Sequence, residues 1–217
     1  MSARTKLDFV SDVSCPWCAI GLQSLLAALM NLGGVIEADI HFQPFELNPD
    51  MGPGGQDIAE HIAQKYGSSV EQFAQSQEMI RERGAQLGFR FDMQKRTRIY
   101  NTFDAHRLLH WADLAGRQLQ LKQALFRAYF TDGADPSDHA TLTRIAEHAG
   151  LEAAGAQAVL ASDRYGAEVR ARERFYGSQG INGVPAIIVN DRHLIEGGQP
   201  VAVFERVLRQ LGPATPQ

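Results

Sequence analysis

Cys15 and Cys18 are the only two cysteines in the 217-residue chain, and they stand three positions apart in SDVSCPWCAIG, residues 11–21. A pair at this spacing can staple the chain, supply half of a metal site, or cycle between dithiol and disulfide. The staple is the weak reading. A C-x-x-C bridge closes a very short loop, and short loops constrain the unfolded chain least; a chain of this length also has its own core to fold around. A structural zinc site asks for four ligands. No second C-x-x-C follows, and His106 and His110 in HRLLH lack the glutamate that H-E-x-x-H would place after the first histidine. No metal is therefore expected, and the redox pair is the strongest of the three.

Redox chemistry needs a thiolate, and a helix N-terminus favours one through its unpaired N–H groups and dipole. Cys15 immediately precedes Pro16, a residue welcome in a first helical turn because it has no N–H to lose. Cys18, Leu22, Leu25 and Leu29 then recur at helical spacing until Gly33-Gly34. Cys15 belongs at the mouth of this helix, and Cys18 belongs one turn inside, on its apolar stripe. That asymmetry assigns roles: Cys15 attacks or is attacked, and Cys18 resolves. Trp17, between them, is expected to be partly exposed and to offer a substrate an apolar surface.

The flanking elements follow from pattern. TKLDFV (5–10) reads as a strand, and IEADIHFQPF (36–45) alternates Ile36, Ala38, Ile40 and Phe42 with Glu37, Asp39, His41 and Gln43. The opening is thus β-α-β, a unit that favours parallel strands. After the Pro/Gly-rich LNPDMGPGGQ (47–56), about a hundred residues carry helical pattern. Ser68 and Glu71 have capping-box spacing ahead of Val70, Phe73, Ile80 and Leu87, and further helices are expected over 101–115, 118–130, 138–149 and 152–161. VPAIIVN and HLIEG around Asp191-Arg192 predict a hairpin. Val201, Phe204, Val207, Leu208 and Leu211 then share one helical face. The fold class is α/β: a thioredoxin-like core, β-α-β then β-β-α, over 1–55 and 162–217, with an all-helical insertion over 56–161.

Val184-Pro185, in GINGVPAIIVN (180–190), stands at a strand start, where proline is tolerated. X-Pro is also the common site of a cis peptide. Composition excludes other classes. A formal charge of -4 gives no basic surface for nucleic acid, and no run approaches the roughly 18 apolar residues of a membrane helix. MSARTKLDFVSDVS lacks the long apolar segment of a signal peptide, so a cytoplasmic protein is expected.

With these motifs in order, the sequence resembles the DsbA-like branch of the thioredoxin superfamily. Within that branch it is similar to the FrnE-like group, dithiol-disulfide isomerases associated with polyketide biosynthesis. FVSDVSCPWCAIG, FQPFELNP, NTFDAHRLLHWA, LFRAYFTDG and GINGVPAIIVN match that group's recurring blocks. The resemblance implies Cys15 and Cys18 as the catalytic pair and a cis Val184-Pro185 facing them. It also implies a helix from NTFDAHRLL roofing the site, with Asn101 and His106 donating hydrogen bonds to a substrate or thiolate. Many relatives place a buried acid six residues before the first cysteine, where this chain has Phe9; Asp8 is expected on the opposite strand face, and Asp12 is nearer in sequence.

The expected activity is thiol–disulfide exchange or isomerisation with protein or small-molecule thiols and disulfides, with no bound cofactor and with homodimerisation as an open expectation. Two rivals stand beside it. Kappa-class glutathione transferases and 2-hydroxychromene-2-carboxylate isomerases resemble this architecture and would make glutathione the co-substrate, but typically carry serine where Cys15 stands. A chaperone or binding module would keep the cysteines without using them.

Overall fold

The computed structural model describes residues 4–211. Its centre is a four-stranded sheet in the order β2-β1-β5-β6. β1 (Thr5–Ser11) runs parallel to β2 (Ala38–Pro44) and antiparallel to β5 (Ala186–Val189), so that Phe9 lies between Phe42 and Ile187. A middle strand is covered on both faces, so its buried side chains are apolar or paired. Leu7 and Phe9 enter the cluster that holds Cys18, Leu22 and Phe204, whereas Val10 packs with Tyr176 on the other side. Fully burying a side chain of this size contributes about 1.5–3 kcal/mol.

α1 (Pro16–Asn31) follows β1 directly and packs beside the C-terminal α9 (Val201–Leu211). Phe204 and Leu208 supply the buried stripe of α9. The hairpin of β5 and β6 (His193–Glu196) turns through three residues, Asn190–Arg192, rather than the expected two. Asn190 and Asp191 both take positive φ there, which Asn and Asp tolerate better than most residues.

Between β2 and β5 come β3 (Gln56–Asp57), α2 (Ile58–Tyr66), α3 (Val70–Gln86), β4 (Arg98–Ile99), α4 (Phe103–Leu114), α5 (Gln118–Phe130), α6 (His139–His148), α7 (Ala153–Leu160) and α8 (Gly166–Ser178). The cap of α3 is one residue later than expected: Ser69 and Gln72 form the reciprocal box, and Glu71 instead accepts from the Ser69 hydroxyl. Val70, at the first position of that helix, is exposed.

α8 has no apolar run to announce it. Only Val169 and Tyr176 are buried; polar contacts hold the rest, with Arg170 bridging Glu46 and Glu173 and Arg172 donating to Gln43. The inserted helices also share the sheet's core, since Phe126, Tyr129 and Phe130 of α5 pack in the cluster of Phe9 and Cys18. Gln118 of α5 lies along the outer strand: its side-chain oxygen accepts from Phe42 N at 2.8 Å and its amide nitrogen donates to Phe42 O at 3.0 Å. A side chain thereby takes the place of a neighbouring strand.

Candidate active site

Cys15 is the N-cap residue of α1, extended at φ -88°, ψ 113°, and Pro16 follows at the first helical position. Cys18 N and Ala19 N both donate to Cys15 O, at 3.1 and 3.3 Å, so the first turn closes on the first cysteine. No side chain caps that turn and no acidic residue sits in it, which leaves the helix terminus free to favour an anion. The two thiols are unbridged. Cys18 is fully buried and Cys15 retains 3% of its surface, so the first sulfur is less open than a helix mouth suggests. Burial pushes the Cys18 thiol well above its usual value, and the neighbouring Cys15 pushes it further. Trp17 is half-buried against the core.

The Val184-Pro185 peptide is cis, and Val184 O lies 3.7 Å from Cys15 Sγ, which donates to it. Gly21 allows this approach, and Gly198 lets the loop after β6 lie against α1. A Cβ on Gly21 would come within 3.3 Å of Pro185 Cγ, and one on Gly198 within 2.9 Å of Trp17 O. The second contact, against backbone, admits no side chain without a shift.

The turn before Cys15 is fixed by Asp12. Its carboxylate accepts from Ser14 N at 3.2 Å, Ser14 Oγ at 3.0 Å and Leu47 N at 2.7 Å. Its backbone oxygen accepts from Cys15 N at 3.3 Å. His106 Nε2 stands 3.5 Å from Asp12 Oδ1 without forming a hydrogen bond. Burial opposes the charge on Asp12, but His106 and the Leu47 and Ser14 amides outweigh it and hold the carboxyl below its usual value. His106 is thus a buried partner of Asp12. Asn101 uses its Nδ2 on Pro49 O and its Oδ1 on Phe103 N, which fixes the start of α4. Phe9, fully buried, points toward α1, while Asp8 bonds Gln43 Nε2 and pairs with Lys6 away from the cysteines.

Two residues that sequence reading did not single out bear on the charge balance of the cysteines. Tyr66, an exposed residue at the end of α2, has its phenol pKa raised first by partial burial and then by Cys15. Lys122 of α5 is fully buried, and its Nζ has no hydrogen-bond partner. The warning sign was available in LQLKQALFRAYF: a lysine four and seven residues before Phe126 and Tyr129 lies on their apolar face.

A thiol pair at the mouth and first turn of a helix, facing a proline loop on a mixed sheet, defines a thioredoxin-type thiol–disulfide oxidoreductase. The chain belongs to the family of the DSBA-like thioredoxin domain, whose model matches residues 6–209. The crystal structure of a probable DsbA oxidoreductase from Streptomyces coelicolor shares 32% identity and a TM-score of 0.88, covering 99% of this chain and 93% of that one. A 2-hydroxychromene-2-carboxylate isomerase shares the fold at a TM-score of 0.70 and 14% identity, with 95% of each chain covered. So does the cytosolic disulfide reductase DsbM of Pseudomonas aeruginosa, solved with GSH, at a TM-score of 0.62 and 16% identity over 94% of this chain and 98% of that one.

Proposed function

We propose that the protein is a dithiol–disulfide oxidoreductase and isomerase of FrnE-like type, acting through Cys15 and Cys18 in the cytoplasm. The observation that carries this is the placement of Cys15 Sγ at an uncapped helix terminus, 3.7 Å from Val184 O, with Cys18 buried one turn below. Cys15 thiolate attacks one sulfur of a substrate disulfide; the substrate S–S bond breaks, one thiolate leaves, and a mixed disulfide forms at Cys15. Cys18 thiolate then attacks Cys15 Sγ, closes the Cys15–Cys18 bond and releases the second substrate thiolate, so two electrons pass to the substrate. The reverse sequence oxidises a substrate dithiol, and attack by another substrate thiol on the mixed disulfide isomerises.

Val184, ahead of Pro185, offers its backbone to an extended substrate as an added strand would. Pro16 and Trp17, both partly exposed, form the surface such a chain meets. In a reducing cytosol the enzyme's own disulfide is transient, and among the described residues no helix is long and apolar enough to cross a membrane. Replacing Cys15 with Ser is expected to abolish insulin reduction and reactivation of scrambled ribonuclease; wild-type rates in that variant would refute the proposal.

The slight exposure of Cys15 favours a second reading of the same site, in which a small thiol such as glutathione is the co-substrate. Glutathione binding without any disulfide exchange would make the protein a glutathione-dependent isomerase or transferase instead. Aggregation suppression that survives loss of both cysteines would mark a chaperone.

A further inference from the structure

Lys122 is buried without a partner for its charge, and it borders a small cavity. Its nitrogen is sealed from solvent and makes no hydrogen bond, 4.9 Å from the ring centre of Phe126 and 5.8 Å from that of Phe42. Aromatic faces attract a cation only modestly, and an unpaired buried charge is costly. Burial accordingly pushes the Lys122 pKa from 10.5 down to about 8. The cavity, of about 10 Å³, lies between β2, α4, α5 and α8, and it has the room of a single water.

The side-chain oxygens around this cavity are already engaged or turned outward. Gln118 Oε1 accepts from Phe42 N, and Gln43 Oε1 accepts from Arg172. Asp113, partly exposed at the rim, lies 3.6 Å from His41 Nδ1. Arg172, exposed at the same rim, adds a second cation to the lining. Of the two histidines that line the cavity, His106 turns Nε2 toward Asp12, and His110 is held from charging by burial and then by Arg172. The space is therefore rich in cationic donors, and the deepest of them, on Lys122, has nothing to donate to.

We propose that this cavity is a binding site for one monatomic anion, chloride in ordinary solution, seated against the Lys122 ammonium. The site stands apart from the cysteines, so the proposal does not depend on the oxidoreductase reading. A halide fits a space of this size, carries the charge that the ammonium lacks, and accepts from every donor that reaches it. Water fits the volume but leaves the cation without a counter-charge, and sulfate, phosphate and carboxylates are too large. With the ion seated, Lys122 stays protonated, and α5 is tied to the rest of the lining by charge as well as by Gln118.

Urea unfolding at neutral pH and constant ionic strength tests this, with sodium gluconate exchanged for chloride or bromide. In gluconate, Lys122 bears its burial cost alone. For the wild type, the folded-to-unfolded ratio is expected to rise with halide, by about tenfold for each tenfold increase beyond the dissociation constant. In Lys122→Met that dependence is lost. Wild-type crystals soaked in bromide are expected to show an anomalous peak in the cavity, within hydrogen-bonding reach of Lys122 Nζ. No halide dependence in the wild type, the same dependence in Lys122→Met, or a cavity that holds only water after the soak would each overturn the proposal. If Lys122→Met does not fold, Lys122→Gln takes its place and is judged by the same titration.

Discussion

The carbonyl oxygen of Val184 lies 3.7 Å from Cys15 Sγ, although the two residues are 169 positions apart in the chain. The contact joins the mouth of α1 to the loop before β5, and it sets what can reach the sulfur. With 3% of Cys15 exposed, small reagents should outpace bulky ones. Iodoacetamide is expected to label Cys15 faster than a bulky maleimide relative to their rates with free cysteine. Cys18, buried and with its thiol pushed up, is expected to react at least about tenfold slower at neutral pH in Cys15→Ser, since thiolate fraction falls tenfold per pH unit below the pKa. Mass spectrometry of the alkylated peptides distinguishes them, and equal labelling of both cysteines would contradict the assigned roles.

Gly198→Ala tests the packing that holds the site together. Its Cβ would meet the backbone oxygen of Trp17 at 2.9 Å, so α1 or the loop after β6 must move. The expected cost is about 1–3 kcal/mol, the usual range for overpacking, together with slower exchange because Val184 no longer sits against Cys15. Urea unfolding and the insulin assay read the two effects separately.

Asp12→Ala removes the acceptor for Ser14 N, Ser14 Oγ and Leu47 N. Each buried donor left unsatisfied costs about 1–3 kcal/mol, so a loss of several kcal/mol is expected. The charge on Asp12 also has a pH signature. Its folded pKa lies below the ordinary 3.8, so the unfolded chain takes up the proton first as pH falls. The stabilisation is complete above 3.8 and is lost as pH drops through the folded value. Acid titration of Asp12→Asn should lack that component of the loss; an unchanged acid transition would count against a charged Asp12.

Lys122→Met is expected to make the protein more stable at neutral pH. The folded pKa of Lys122 is depressed to about 8 from 10.5, so between those values the unfolded chain binds the proton and the folded one does not. Stability therefore rises with pH across that window. Below 8 the folded state carries the whole penalty, about 3 kcal/mol at about 1.4 kcal/mol per pH unit; above 10.5 it carries none. The advantage of the methionine variant should fade over the same interval in chemical denaturation. A variant no more stable at neutral pH would mean that Lys122 is not held at a cost.

Much of this architecture is legible in the sequence. β1, α1, β2 and the late hairpin follow from period-two and helical spacing, and the cysteine pair from its place before Pro16. α8 was not legible because its hold on the sheet is ionic: Arg170 with Glu46 and Arg172 with Gln43 leave no apolar stripe to read. Nor could local pattern foresee that Asn101 spends its amide on Pro49 and Phe103, or that His106 faces Asp12. Those pairings depend on how segments distant in sequence meet. Lys122 is not legible because a lone lysine in a helix ordinarily points outward; only the docking of α5 on β2, whose Phe42 ring centre lies 5.8 Å from the Lys122 nitrogen, gives it its surroundings.

Gln118 adds a consequence for the order of assembly. The outer strand β2 has its Phe42 backbone groups satisfied only once α5 has docked. Until then, that strand presents open hydrogen-bonding groups to any other chain in the same state. A nascent chain is thus most prone to stick to its neighbours after its first two strands have paired and before its fifth helix arrives.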